Sequence, residues 1–115
     1  MVRNYRKPLI VVGPKALLRS PVCTSELSEM GPGTTWLPVL SDPIFQSPAS
    51  ISKCKRVCFV SGKLYYDLIK ERSDRKKDDE IAFVRIEELN PFPAADIKSE
   101  IQKFSHVKGT WLYRY

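Results

Sequence analysis

VCFVSGKLYYDLIKERSDRKKDDEIAFVRI, residues 57–86, is the stretch whose reading decides the fold. Residues 57–61 form an apolar, β-branched-rich strand, Gly62 marks a turn, and Lys63 opens a helix. In that helix Leu64 and Leu68, then Tyr65 and Ile69, recur four apart and share a face. Ile81 to Ile86 supplies a second strand. Strand, helix and strand within about 30 residues make a βαβ unit, which predicts parallel strands joined by a right-handed crossover.

Working toward the N-terminus, Leu9, Ile10, Val11 and Val12 form a continuous run of the kind expected for a strand buried on both faces. Gly13 and Pro14 stop it. Lys15 to Arg19 predict one short helical turn, which Ser20 and Pro21 break. Cys23, Leu27 and Met30 recur at helical spacing and Gly31 is placed to end that segment. Residues 36–40 predict a short strand that Pro38 confines to an edge or a bulge. Residues 42–52, with Pro43, Ser47, Pro48 and Ser50, read as a loop, and Lys53 to Arg56 as a basic lead into the next strand.

Working toward the C-terminus, Asn90, Pro91, Phe92 and Pro93 form a stiff connection. A helix follows with Ala94, Ile97, Ile101 and Phe104 on one face, placed to cover the sheet. Residues 106–113 predict a last strand through Val107, Trp111 and Tyr113, interrupted by Gly109. Alternating strands and helices predict an α/β fold: a single three-layer domain over residues 1–115 with a mostly parallel sheet.

Composition narrows the function classes. The chain has 115 residues, 43% of them apolar and 28% charged, which suits one small globular core. A net charge of +6 permits an anionic partner without naming one. The four-residue run at 9–12 is far short of the roughly 18 apolar residues needed to span a bilayer, so no membrane association is expected. Three cysteines, Cys23, Cys54 and Cys58, are too few and odd in number for a disulfide scaffold. The residues ahead of the run at 9–12 are too short for a transit peptide, so any organelle address is expected to lie outside this chain.

No catalytic constellation is complete. His106 is the single histidine, and any triad or dyad would have to use it. Cys54 and Cys58 are four apart with no partner pair, which is not a zinc pattern. Gly31 and Gly33 bracket Pro32 without the strand and helix that a phosphate-binding glycine loop requires. Glu87 and Glu88 follow a strand, but adjacent acids point apart. Residues 72–80 change sign from basic to acidic and read as a solvated loop. Arg3, Arg6 and Lys7 with Lys53, Lys55 and Arg56 could form a basic patch, but nucleic-acid binding needs aromatic platforms interleaved with basic residues, a pattern the βαβ region does not show, so it is not expected.

Several motifs taken together carry more. Lys7-Pro8-Leu9-Ile10, Pro14-Lys15 and Leu17-Leu18-Arg19 are followed by Pro32-Gly33-Thr34. Then come Ser61-Gly62-Lys63 with Tyr65-Tyr66-Asp67-Leu68, and last Arg85-Ile86-Glu87, Leu89 and Pro91-Phe92-Pro93. In this order they resemble the C-terminal domain of the E1 subunit of 2-oxoglutarate dehydrogenase, from about Arg3 to Lys108. Pro32-Gly33-Thr34-Thr35, Glu87-Glu88-Leu89 and His106-Val107-Lys108 lean toward its 2-oxoadipate dehydrogenase branch. Residues 109–115 depart from the family pattern. With a start where the family domain would be mid-chain, this implies a truncated product or fragment.

The resemblance implies a transketolase-like C-terminal fold. It also implies a parent oxidoreductase that decarboxylates 2-oxoglutarate or 2-oxoadipate on thiamine diphosphate with Mg²⁺ and hands the acyl group to the lipoyl arm of E2. Cofactor and metal sit in preceding domains, so no catalytic, cofactor or metal residue is expected here and the chain alone should not turn over. The implied partners are the remainder of E1, its dimer mate and E2. The implied setting is the mitochondrial matrix, in the tricarboxylic acid cycle or lysine degradation; without the resemblance the expectation is cytoplasmic. Some members hold a regulatory nucleotide or acyl-CoA in this domain. Lys63, at a helix start directly after a strand, and Arg19, with its planar fork, are the candidates for such an anion. The alternative is an independent α/β module that binds an anion or partner without catalysis.

Overall fold

The structure, a computed structural model, describes residues 7, 8 and 10–112. Two 3-10 helices, Lys15–Arg19 and Leu27–Met30, come first. They are followed by β1 (Val39–Leu40), α1 (Pro48–Lys53), β2 (Arg56–Val60), α2 (Leu64–Asp74), β3 (Ile81–Ile86), α3 (Ala94–Lys103) and β4 (Thr110–Leu112). Arg3, Arg6, Leu9 and Tyr113 lie outside the described residues.

The four strands form one sheet in the order β1-β3-β2-β4. β2 runs parallel to β3, with Arg56 opposite Ile81 and Val60 opposite Arg85, and parallel to β4, with Val57 opposite Thr110. These are the parallel strands that the helical and strand periodicities of residues 57–86 predict. The remaining strand, β1, makes the sheet mixed, because it pairs antiparallel with β3 at the edge. Pro38 immediately precedes it, and its carbonyl accepts from the Glu87 and Glu88 amides at 2.9 and 3.2 Å. An edge tolerates a residue with no N–H to donate.

Alternation along the strands sends side chains to both faces. On one face Val57 and Phe59 of β2 and Ala82, Val84 and Ile86 of β3 cluster with Phe45, Cys54 and Phe104, and Ile51 of α1 and Ile97 of α3 pack against them. Phe45 and Phe104 meet edge to face with centroids 6.1 Å apart. On the other face Cys58, Val60 and Phe83 pack under Tyr65, with Leu68 and Ile69 of α2 beside them. Helices thus stand on both faces, but the cover is partial: Ala94 is exposed and Ile101 is 44% exposed, so only Ile97 and Phe104 of the predicted α3 face reach the core.

The turn between β2 and α2 needs Gly62, whose φ of +67° lies in the left-handed region that costs a side-chain-bearing residue energy. At the far end α2 closes in a Schellman arrangement: the Lys77 amide donates to the Arg72 carbonyl at 3.0 Å and the Lys76 amide to the Ser73 carbonyl at 2.9 Å. Lys76 takes the left-handed position itself, with φ +54°.

Four expectations are corrected. Residues 10–12 are no strand of this sheet; Ile10, Val11 and Val12 are 88%, 73% and 94% exposed. A β-branched run specifies extended backbone, but not which sheet takes it. The loop at 42–52 contains α1, announced by Ser47, whose Oγ accepts from the Ser50 amide, and by Pro48 in the first turn. Of the helix expected through Cys23, Leu27 and Met30, only Leu27–Met30 is helical, as a 3-10 turn ended by Gly31; Cys23 lies outside it, and Leu27 and Met30 are exposed. Arg72 is not part of a solvated loop: it lies buried in the last turn of α2, which runs on to Asp74, and the loop begins only after that helix.

Candidate functional site

Lys63 and the first 3-10 helix bound a groove of about 590 Å³ whose floor is α2. Leu17, Val22, Ile44, Tyr66 and Ile69 give it an apolar lining, and Lys63 stands at its rim as the N-cap residue of α2. Asp67, Asp74 and Asp78 share the same lining. Arg19 ends the 3-10 helix, exposed, and does not line the groove. Neither Lys63 nor Arg19 makes an ion pair among the described residues. Two amides at the start of α2 are already used, Tyr65 N–H by the Gly62 carbonyl and Tyr66 N–H by the Lys63 carbonyl. Fewer donors therefore face an incoming anion than a bare helix start would offer.

Tyr66 separates this groove from a smaller cavity of about 370 Å³ lined by Cys23, Met30, Trp36, Leu40 and Arg85. Its hydroxyl donates to the Cys23 sulfur at 2.9 Å, which ties the loop between the 3-10 helices to α2. Burial first, and then this bond, push the Tyr66 hydroxyl up to about 12. No spacing rule links residues 43 apart, so the pair carries no sequence signal. Beside it, the Arg85 guanidinium stands 4.6 Å over the Tyr65 ring, a cation-π contact.

His106 lines a cleft of about 580 Å³ with Lys53, Lys55 and Lys108 and the acids Asp79 and Glu80. Its Nε2 lies 3.1 Å from the Cys54 carbonyl oxygen, and among the described residues no nucleophile or carboxylate bonds to it. Lys55 is taken up by Glu80 at 2.7 Å. The two central cysteines do not converge: Cys54 packs on one face of the sheet and Cys58 on the other. Burial pushes both thiols up, away from the reactive thiolate. Glu87 is engaged with Arg85 at 3.9 Å.

The buried carboxylates are structural. Asp42 accepts from the Phe83 amide at 2.8 Å, the Ile44 amide at 3.0 Å and the Arg72 guanidinium. Glu100 accepts from Ser41 Oγ at 2.7 Å and from Lys103. Among the described residues no three His, Cys, Asp or Glu side chains converge as metal ligands. A Mg²⁺-bound diphosphate needs free oxygen donors around the ion, and this donor set does not fit one. No described helix is long and apolar enough to cross a membrane.

Residues 24–113 match the family model described as 2-oxoglutarate dehydrogenase C-terminal. The chain is 50% identical over 113 residues to a protein of Dictyostelium discoideum named probable 2-oxoadipate dehydrogenase complex component E1 homolog, covering 97% of this chain and 12% of that protein. The human 2-oxoadipate dehydrogenase complex component E1 is 49% identical over 110 residues, 94% of this chain and 11% of its own. A Caenorhabditis elegans homolog is 47% identical over 104 residues, again 11% of its length. The chain therefore spans about an eighth or a ninth of the length of the relatives it matches.

Proposed function

The chain belongs to the 2-oxoglutarate dehydrogenase C-terminal family, and from that premise we propose that it serves as the docking domain of a 2-oxoadipate-type E1 subunit and does no chemistry by itself. In this reading the remainder of the subunit holds thiamine diphosphate and Mg²⁺, and decarboxylation of a 2-oxo acid takes place there. The dimer mate and the lipoyl arm of E2 are the further partners, the mitochondrial matrix is the compartment, and lysine degradation is the setting that the 2-oxoadipate relatives favour over the tricarboxylic acid cycle. One observation carries the proposal: 97% of this chain aligns with only 12% of a relative. The exposed apolar side chains agree with it, because Leu18, Leu27, Met30 and Trp36, each at least 66% exposed, have no cover within this domain.

The test is direct. Purified chain is given thiamine diphosphate, Mg²⁺ and 2-oxoadipate, and release of carbon dioxide is followed. No turnover is expected; measurable decarboxylation by the chain alone overturns the proposal.

A second reading is that Lys63, with Arg19, holds a regulatory phosphate-bearing ligand. The position of Lys63 on the rim of the groove beneath the first 3-10 helix favours it. Asp67, Asp74 and Asp78 in the same lining balance its cations Lys63, Lys70 and Arg72, so the groove offers an anion no net charge attraction, and this reading stands behind the docking role. Titration with adenosine monophosphate, followed through the amide resonances of residues 62–66, decides it: saturable shifts that vanish in Lys63→Gln support the ligand site, and no shift removes it.

A further inference from the structure

β2, β3 and β4 run parallel, so the residues that lead into them meet at one end of the sheet. Lys53 ends α1 and Cys54 follows it ahead of β2, Asp79 and Glu80 precede β3, and His106, Val107 and Lys108 precede β4. Together they line the cleft of about 580 Å³.

The charges at this end fall into two sets. The first is closed: Lys55 and Lys77 hold the two oxygens of Glu80 at 2.7 and 2.8 Å, and Asp79 adds to the field that favours the charged form of Lys55. Two lysines and two acids compensate one another there. The second is open. Lys53 and Lys108 are exposed, and their ammonium groups form no ion pair among the described residues. Between them His106 Nε2 carries its proton toward the Cys54 carbonyl at 3.1 Å, which ties the ring to the residue after Lys53 and turns Nδ1 to no described partner. Cations and acids are equal in number in the Lys63 groove; here two lysines on separate elements are left over, so the field favours an anion.

The rest of the lining says which anion. A phosphate is gripped by free backbone amides or by an arginine fork. No arginine lines this cleft, and the amides of Cys54, Lys55, Arg56 and Val107 are already taken by the carbonyls of Ile51, Glu80 and Phe104. A nucleotide base wants an aromatic platform, and the lining holds no Phe, Tyr or Trp. The volume is that of a ligand with many atoms rather than of one small ion. Two separated point charges on flexible stems match carboxylates spaced along a flexible chain.

We propose that this cleft is a docking surface for an acidic polypeptide segment, two of whose carboxylates are received by Lys53 and Lys108 beside the His106 ring. The surface is complete within this chain, so the proposal goes beyond the E1 reading and does not depend on it.

Amide NMR on the 115-residue chain tests it, with end-blocked hexaglutamate as the probe. Saturable shifts are expected at residues 53–55 and 106–108, with affinity falling as salt is raised. Lys53→Gln with Lys108→Gln should weaken binding about tenfold. Lys15→Gln with Lys98→Gln, which removes the same charge from exposed positions elsewhere, should change it by less than about twofold. Thermal unfolding checks that both pairs stay folded; should Lys53→Gln loosen α1, Lys108→Gln alone still reads the cleft, with a loss of about threefold. Equal losses in the two pairs, or shifts spread over the whole surface, overturn the site in favour of unspecific attraction to a cationic chain. Inorganic phosphate that binds the same amides as tightly as the peptide overturns it in favour of a small anion, and oligoadenylate that binds there more tightly overturns it in favour of nucleic acid. No saturable shift overturns the surface altogether, and none of these outcomes bears on the E1 reading.

Discussion

Arg72 and Asp42 form an ion pair in which both side chains are buried, 5% and 0% exposed. Arg72 Nη1 also donates to the Ile81 carbonyl at 2.9 Å, its guanidinium stands 5.2 Å from the centre of the Phe83 ring, and Asp42 accepts from the Phe83 amide at 2.8 Å. The pair therefore joins the end of α2, the start of β3 and the segment after β1. Its outer edge is looser, with Arg72 Nε 3.3 Å from Asp78 without hydrogen-bond geometry.

Breaking that pair from one side strands a charge in the interior. Asp42→Ala is expected to cost about 3–5 kcal/mol in urea unfolding, and Asp42→Ala with Arg72→Met to cost clearly less than the two single changes added. A loss below about 1 kcal/mol for Asp42→Ala would show that water reaches Arg72 and that the staple is not what holds these elements together.

What could be read ahead of the structure follows the range over which its causes act. Ile81–Ile86 was legible to the residue because β-branched density and flanking charge are local signals, and the edge position of β1 was legible from Pro38. α1 was not, since only Ile51 of its six residues packs on the core and one apolar residue sets up no period. Arg72 looked like the first of a charged run, because nothing local distinguishes an arginine destined for a buried aspartate thirty residues away. Of the candidate site, Lys63 was placed correctly at a helix start, while the neighbouring groove and the Tyr66 to Cys23 bond depend on contacts across the chain.

Glu80 predicts an acid-side signature. Hydrogen bonds from Lys55 and Lys77, at 2.7 and 2.8 Å, lower its carboxyl from 4.5 to about 2. A depressed folded value means the contribution is present above pH 4.5 and is lost as pH falls toward 2. Carboxyl carbon titration by NMR should find Glu80 well below the ordinary glutamate value of 4.5, and Lys55→Gln should raise it. Because Glu80 faces solvent, salt should weaken the shift; a midpoint near 4.5 at low salt would count against the bridges.

Tyr66 predicts the alkaline counterpart. With its hydroxyl raised from 10.0 to about 12, the folded state holds the neutral phenol longer than the unfolded chain does. The contribution is complete below pH 10 and is lost as pH rises through 12. Cys23→Ala should lower the midpoint seen by ultraviolet difference titration without returning it to 10, since burial, the larger cause, stays. An unchanged midpoint would mean that the bond to sulfur contributes nothing.

Lys76 offers a stabilising change. It holds a left-handed conformation, φ +54°, at the closing turn of α2, where a side chain costs about 1–2 kcal/mol and glycine costs none. Part of that gain is offset by the greater freedom of glycine in the unfolded chain, so Lys76→Gly should raise stability by about 0.5–1 kcal/mol. Thermal unfolding reads the sign, and a lower midpoint would show that the lysine side chain makes a compensating contact in solution.

The exposed arm makes the opposite kind of prediction, a change without consequence for folding. Ile10, Val11 and Val12 touch neither apolar cluster, so replacing all three by serine removes no packing from the domain. Unfolding free energy should move by no more than about 0.5 kcal/mol, while binding of a hydrophobic dye and self-association in sedimentation should both fall, since the largest consecutive apolar exposure has gone. The two readouts separate the alternatives. Were the arm folded back onto the sheet in solution, stability would drop as for a core truncation and dye binding would rise with the newly exposed face. Unchanged stability with reduced dye binding leaves the arm as surface held ready for another polypeptide.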